Sequence, residues 1–301
     1  MEQENRKVHV PVLPAEVIDL GKPKSPECWV DGTGGAGGHS KLIADCLSPE
    51  GKLHSIYQDP LACEHLLKVL PAHVSVHNCS YHEIPAVLQS VGTDCVDGIL
   101  LDLGLSSDQL EDEERGFSFR SEGSLDMRYD PGQGQPAWEW LQYKPEKEIA
   151  DSIYQYGEER FSRRIARRIV ERRKANPIRT ANELRELIYG CVPKPKRRDG
   201  KFRHGNVDPA TRTFQALRIV VNNELGKLEK ALATLPDHLN VGGRLLIISF
   251  HSLEDRLVKL AFRNDVRLNV ITKKPMQASK EEIASNPRSR SAKLRVAERV
   301  C

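Results

Sequence analysis

Residues 31–39, Asp-Gly-Thr-Gly-Gly-Ala-Gly-Gly-His, hold five glycines in nine positions. They follow a short apolar strand pattern, Cys28-Trp29-Val30, and precede a helix-like run from Ser40 to Leu47. Lacking a Cβ, glycine takes up positive φ and lets a ligand approach the backbone closely. Such a strand-to-helix turn constrains the fold to an α/β unit, in which the helix N-terminus offers N–H groups to a nucleotide-like ligand. A turn of this kind that bound nothing would carry the entropic cost of its glycines without return.

The neighbouring sequence keeps the same rhythm. Apolar runs at 28–31, 53–57, 74–78 and 96–103 alternate with helical patterns such as Leu61 to Leu70, which ends before Pro71. Val96-Asp-Gly-Ile-Leu-Leu-Asp-Leu103 is continuous enough for a buried parallel strand. This alternation predicts an α/β fold, a doubly wound Rossmann-like parallel sheet. The rhythm breaks after residue 104. From about 110 to 208 only helical periodicity and charged loops are found, and a strand pattern returns at Gly243 to Ser249, after a helical run over 210–233. The chain therefore divides into a discontinuous α/β domain, residues 1–106 and 209–301, and an inserted helical, basic domain, residues 107–208, expected to recognise the substrate.

Composition narrows the function classes. A chain of 301 residues, 39% hydrophobic and 29% charged, builds an ordinary globular core. No apolar run approaches the roughly 18 residues of a membrane span. The acidic, polar start Met1-Glu-Gln-Glu-Asn-Arg-Lys resembles neither a signal nor a transit peptide, which points to the cytoplasm. Seven scattered cysteines without a Cys-x-x-Cys pair read as reduced thiols, and no His, Cys or acid cluster has metal-ligand spacing. The net charge of +3 hides a basic concentration from Arg160 to Arg203. Phe161, Ile165, Ile169 and Val170 form one apolar stripe, and Arg160, Arg163, Arg164, Arg167, Arg168, Arg172, Arg173 and Lys174 cover most of the remaining helix surface. Like charges three and four residues apart destabilise an isolated helix, and an anionic partner offsets that cost. Lys194, Lys196, Arg197, Arg198, Lys201 and Arg203 extend the basic character into a Gly- and Pro-containing stretch expected to be a mobile loop.

Two cofactors compete for the glycine turn. Gly32, Gly34 and Gly37 fit G-x-G-x-x-G, and Asp59 lies near the end of the second strand, which by spacing alone suits a nicotinamide dinucleotide. Asp31 favours another choice. An acid at the strand tip would repel a diphosphate and suit S-adenosylmethionine, which carries an ammonium and a sulfonium and no phosphate, its carboxylate resting on the helix N-terminus.

Further segments share one resemblance. His9-Val-Pro-Val-Leu13, the glycine turn through Ser40, Gly98 to Ser107, Glu114 to Phe119, Leu125-Asp-Met-Arg128, Pro209 to Arg218, Ser249 to Arg256 and the Asn286 to Ser291 tail together resemble, in order and over nearly the whole chain, the RsmH (MraW) methyltransferases. That resemblance implies a class I methyltransferase sheet with S-adenosylmethionine as cofactor. It also implies methylation of the N4 amino group of a cytosine in the decoding region of small-subunit (16S) rRNA, with rRNA or the 30S subunit as partner. Carried over by position, Gly37, Gly38 and His39 contact the cofactor, Tyr81 lies beside the adenine, Gln109 adds a further contact, and Asp102 meets both cofactor and substrate amine. One position departs from the family pattern Ile-Asp-Arg-Asp-Pro. Here the run is Ile56-Tyr57-Gln58-Asp59-Pro60, so Tyr57 occupies the ribose position with a single hydroxyl, and Asp59 is the nearest carboxylate that could shift to help.

The expected chemistry centres on Asp102. A cytosine amino group delocalises its lone pair into the ring, and an oxygen accepting its N–H bonds restores nucleophilicity and stabilises developing positive charge. Asp102 ends a central strand, where doubly wound sheets bind their ligands. In Ser249-Phe-His-Ser-Leu-Glu-Asp-Arg256, His251 reads as a structural hydrogen-bonder, while Phe250 suits either a base stack or the core. Two alternatives share the fold: a non-catalytic rRNA-binding assembly factor and an NAD-dependent oxidoreductase.

Overall fold

The computed structural model describes residues 10–193 and 208–301. Its strands are β1 (Cys28–Asp31), β2 (Lys52–Tyr57), β3 (Val74–Asn78), β4 (Val96–Asp102), β5 (Leu239–Ser249), β6 (Leu268–Val270) and β7 (Lys293–Arg299). Four helices, α1 (Pro14–Gly21), α2 (Gly38–Leu47), α3 (Pro60–Val69) and α4 (Ile84–Ser90), accompany the first four strands. Then come α5 (Ser107–Glu111), α6 (Ala137–Tyr143), α7 (Glu146–Gly157), α8 (Ser162–Ala175), α9 (Ala181–Cys191) and α10 (Pro209–Asn222). The last three are α11 (Glu224–Thr234), α12 (Ser252–Asn264) and α13 (Lys280–Ser285).

The strands make one sheet in the order β3-β2-β1-β4-β5-β7-β6. The first five run parallel, and β7 runs antiparallel to both of its neighbours. This is the doubly wound, Rossmann-like architecture expected from the sequence. Strand β4 shows why its sequence is continuously apolar. Ile99 and Leu101 join the core on one face, with Ile56, Leu245 and Ile247, while Leu100 joins the other, with Trp29, Ile43 and Leu246. A strand covered on both sides has no polar face to alternate. The strand order reverses between β1 and β4, so a crevice opens beyond their carboxyl ends, where open α/β sheets bind ligands.

Two compact units result, one of residues 1–106 with 225–301 and one of residues 107–224. The first holds the sheet. In the second, helix α8 buries Ile165, Ala166 and Ile169, and α7 buries Ile149 and Ile153. The sequence predicted the return to the α/β domain at residue 209, whereas α10 stays with the helical unit. Gly157 allows this close fit, since a Cβ there would lie 2.4 Å from the Arg212 carbonyl oxygen. Gln215 Nε2 donates to the Tyr156 carbonyl at 3.0 Å, and Asn222 accepts from Tyr129 N at 2.8 Å while donating to Met127 O at 2.7 Å. A periodicity count sees a helix and cannot see which neighbour it packs on. The single helical run read over 210–233 is broken at Asn223, which takes the left-handed conformation (φ 50°) and ends α10.

Candidate active site

The glycine turn is stitched to the strands on either side of it. Gly32 N donates to Leu100 O and Gly34 N to Ile56 O, each at 2.9 Å. Gly34 is required by proximity, because a Cβ would lie 2.4 Å from Ser55 Oγ. Gly35 is required by conformation, with φ +53° and no atom nearer than 3.5 Å to an added Cβ, so its backbone faces open space. Gly38 then starts α2, whose first N–H groups lack intrahelical partners.

Asp31 is fully buried beneath this turn. Its Oδ2 accepts from Ser40 Oγ at 2.6 Å, and Oδ1 accepts from Thr33 N at 3.1 Å and Thr33 Oγ1 at 3.4 Å. Ser40 Oγ also lies 2.9 Å from Ser55 Oγ. The sequence argument set this acid at the cavity mouth, facing the cofactor. The structure corrects it: the carboxylate points inward and braces the turn, because three nearby donors satisfy it there. Burial raises its pKa, and the Ser40 and Thr33 hydrogen bonds oppose that rise.

A small cavity of about 40 Å³, partly open to solvent, lies above the turn. Thr33 to Ala36, Gly38, His39 and Tyr57 line one part of it, and Asp102 to Ser106 with Phe250 line the rest. Thr33, which the sequence reading passed over, links the two parts: its Oγ1 accepts from Asp102 N at 2.6 Å. Asp102 is held at the tip of β4, with 21% of its side-chain surface exposed. Its Oδ1 is buried and accepts no hydrogen bond among the described residues. His39 Nε2 lies 3.6 Å from Oδ2. Burial first, and then the negative charges of Asp31 and Glu254, push the Asp102 carboxyl well above the usual carboxylate range. An ionised Asp102 is therefore an unusually basic, poorly solvated acceptor.

Glu254 and His251 hold the turn that brings Phe250 to the cavity. Glu254 Oε2 accepts from Phe250 N at 2.9 Å and His251 N at 3.3 Å, and His251 Nδ1 accepts from Glu254 N at 3.4 Å. His251 thus caps α12 in a reciprocal capping box, the structural role expected of it. Asp255 is held below its ordinary pKa by Arg295 and Lys293, whose nitrogens lie 2.7 and 3.4 Å from it. These contacts fix the β5–α12 turn that carries Phe250, and an added Cβ on Gly104 would lie 3.4 Å from the Phe250 ring.

Of the residues predicted at the site, Gly38, His39, Tyr57 and Asp102 line the cavity. Gly37 instead sets the turn into α2 at φ +87°, its Cα side against Leu66 and Leu70 of the α3 region. Tyr81 starts a 3₁₀ turn and packs on the core, with its Cβ 3.1 Å from where a Gly32 Cβ would sit. Gln109 is buried in α5 of the helical unit. Asp59 caps α3, accepting from Leu61 N at 3.1 Å, and is buried. Tyr57 stands at the tip of β2, and Gln58 accepts from Lys227 Nζ at 2.9 Å.

In the helical unit, Arg163, Arg164, Arg167 and Arg168 are exposed on α8. The basic face is narrower than the sequence suggested. Arg173 donates to the Leu141 and Lys144 carbonyls, Arg172 lies 3.8 Å from Glu183, and Arg168 lies 3.4 Å from Glu171. Arg160 stacks on Phe161 at 4.7 Å. The basic residues expected in a mobile loop, Lys194 to Arg203, lie outside the described residues.

The chemistry of this donor set fits S-adenosylmethionine. Backbone without side chains lines the cavity at Gly34 and Gly35, a helix N-terminus suits a carboxylate, and an ionised Asp102 would offer negative charge to a sulfonium. The MraW methylase family matches residues 6–300. Ribosomal RNA small subunit methyltransferase H of Rhodopirellula baltica is 47% identical over 305 residues, covering 97% of this chain and 91% of the relative. The protein of the same name from Geobacter sp. is 43% identical over 313 residues, covering 97% and 98%. Among solved structures, an rRNA methylase from Streptococcus thermophilus aligns with a TM-score of 0.44 at 11% identity, covering 95% of each chain. An S-adenosylmethionine-dependent O-methyltransferase from Thermotoga maritima aligns with a TM-score of 0.42 at 10% identity, covering 99% of this chain and 69% of the other. With the glycine turn, the Asp102 strand tip and the family match all in one continuous register, the chain belongs to the MraW methylase family.

Proposed function

We propose that this protein transfers a methyl group from S-adenosylmethionine to the N4 amino group of a cytosine in the decoding region of small-subunit rRNA, in the cytoplasm. One observation carries the reading: a carboxylate oxygen, Asp102 Oδ1, is buried at a cavity wall with no hydrogen bond among the described residues. Burying an acceptor without a donor costs free energy, of order 1–3 kcal/mol, and a substrate N–H removes that cost. The names carried by the 43–47% identical relatives support rRNA as the substrate class.

The cofactor, when bound, supplies an electrophilic methyl on a sulfonium with a neutral leaving thioether. The Thr33–Ala36 backbone and the start of α2 would hold it, and Tyr57 would offer its hydroxyl to the ribose. Asp102 accepts an amine N–H, draws electron density toward the nitrogen and offsets the charge that develops there. The turns carrying Asp102 and Phe250 are fixed by hydrogen bonds, and positioning supplies much of the remaining rate. In the helical unit, the exposed arginines of α8 suit phosphate contacts that orient RNA without reading its sequence. The target base must be unstacked to enter such a cavity. The two alternatives gain no support. A carboxylate strained by its own neighbours serves no purpose in a factor that only binds, and family membership sets the dinucleotide reading aside.

The test uses labelled cofactor with unmodified small-subunit rRNA and, in parallel, with 30S subunits, followed by digestion to nucleosides. Label in N4-methylcytidine is expected, and the better of the two substrates identifies the natural one. Label in another nucleoside, or RNA binding with no transfer, overturns the proposal.

A further inference from the structure

The amine that attacks a methyl sulfonium must also lose a proton. As the N–CH₃ bond forms and the CH₃–S bond breaks, the bonding pair leaves with sulfur and the positive charge passes to nitrogen. Nitrogen then sheds one of its two protons. Asp102 Oδ1 faces that position under the reading above, on which this inference rests. A protonated Asp102 stays inert for the next turnover until it passes the proton on.

The surroundings leave few receivers. Asp31, at the end of β1, is enclosed by Ser40 and Thr33. Glu254, on α12, is 4% exposed at its side chain and holds the Phe250 and His251 amides. His251 is committed to capping α12 and lies 3.2 Å from Glu254 through Nε2. Tyr57 lines the cavity and has no proton-accepting site of comparable basicity. His39 differs from all of these. It sits on the first turn of α2, lines the same cavity, and brings Nε2 to 3.6 Å from the second carboxylate oxygen of Asp102. Its side chain is 5% exposed.

We infer that His39 is the proton partner of Asp102: the Asp102 carboxylate takes the amine proton on Oδ1, and the carboxyl group then turns to hand that same proton to His39 Nε2, which lies 3.6 Å from the group on its Oδ2 side. The proton count balances, since one leaves nitrogen and one arrives on the imidazole, and His39 releases it to solvent through the cavity. Imidazole is suited to this step because its ordinary pKa lies near neutrality. In the resting state His39 also orients Asp102 by approaching from the side away from Oδ1. His39 is thus a positioning residue as well as a relay.

The decisive measurement needs no cofactor. Nitrogen-15 NMR of the imidazole groups, with His39 assigned by its loss in His39→Gln, follows the His39 titration in the unliganded protein and in Asp102→Asn. Coupling predicts that the midpoint drops by at least half a pH unit when the carboxylate is removed. A midpoint that stays within 0.2 unit overturns the inference (an experimental threshold set by roughly a 1.6-fold change in protonation equilibrium). In kinetics, His39→Gln should lower kcat at saturating S-adenosylmethionine by at least about 100-fold and shift the acidic limb of the kcat–pH profile. A fall in cofactor affinity with an unchanged kcat profile would instead assign His39 to binding alone and refute the relay. If the rRNA reading itself fails, wild-type protein transfers no methyl group to RNA, whereas the NMR coupling is unaffected.

Discussion

At Asp102 the features that favour chemistry oppose folding. Its carboxyl is raised by burial and by the carboxylates of Asp31 and Glu254. The folded state therefore holds a proton at pH values where the unfolded chain has lost it, so stability falls as pH rises from the ordinary carboxylate pKa through the raised one. Asp102→Asn should abolish this slope and raise Tm near neutral pH while cutting methyl transfer by at least about 100-fold. Thermal unfolding across pH, paired with the transfer assay, checks both signs; a lower Tm would show that the carboxylate is stabilising after all. Activity should also decline as pH falls through the raised pKa, because only the carboxylate accepts an amine N–H. Tyr57 makes a smaller claim. Tyr57→Phe should weaken S-adenosylmethionine binding by about 1 kcal/mol, or roughly fivefold, as expected for one neutral hydrogen bond, and calorimetry measures it directly. The place of Asp102 at the carboxyl end of a central strand was legible in the sequence, because the apolar run Ile99-Leu100-Leu101 ends at it. The direction of Asp31 was not legible, since it depends on Ser40 and Ser55, brought together only by the fold.

At the scale of elements, the turn between β1 and α2 behaves as one braced object. Gly34→Ala should cost about 1–3 kcal/mol, because its Cβ would press on Ser55 Oγ, which the Ser40 contact keeps in place. Chemical denaturation reads the loss, and an unchanged midpoint would mean the turn yields easily. For α12, His251→Ala should cost about 1 kcal/mol through the lost cap, and His251→Asn should recover most of it. Strands β1 to β5 could be placed from their apolar runs to within a few residues. Strands β6 and β7 could not. Leu268–Val270 is too short to show a period, and Lys293-Leu-Arg-Val-Ala-Glu-Arg299 mixes charge into its apolar positions, with Arg295 buried against Asp255. On α8 the sequence showed a basic face interrupted only by Glu171, and the fold hands Arg172 and Arg173 to partners contributed by other segments.

For the whole molecule, the helical unit should set RNA affinity and the sheet unit should set chemistry. Reversing charge at Arg163 and Arg164 is expected to weaken RNA binding and reduce the log–log salt slope by about 2, at about 0.9 per phosphate contact. Cofactor affinity should stay within error. Titrations at several salt concentrations separate this from a general loss of fold, which would depress both. The division itself was visible in sequence as a break in the strand rhythm, but its second boundary was not, because α10 chooses its neighbours through Gly157 and Asn222.

The sheet order carries a consequence for synthesis. Strand β4 pairs with β1 on one side, and its other side waits for β5, which lies beyond the entire helical unit in the chain. While the ribosome makes that unit, the fully apolar segment Ile99-Leu100-Leu101 has an open edge. Uncovered apolar edges recruit other strands. A nascent chain stalled near residue 224 should therefore be sticky and chaperone-dependent, and it should become inert only once β5 has emerged to seal the centre of the sheet.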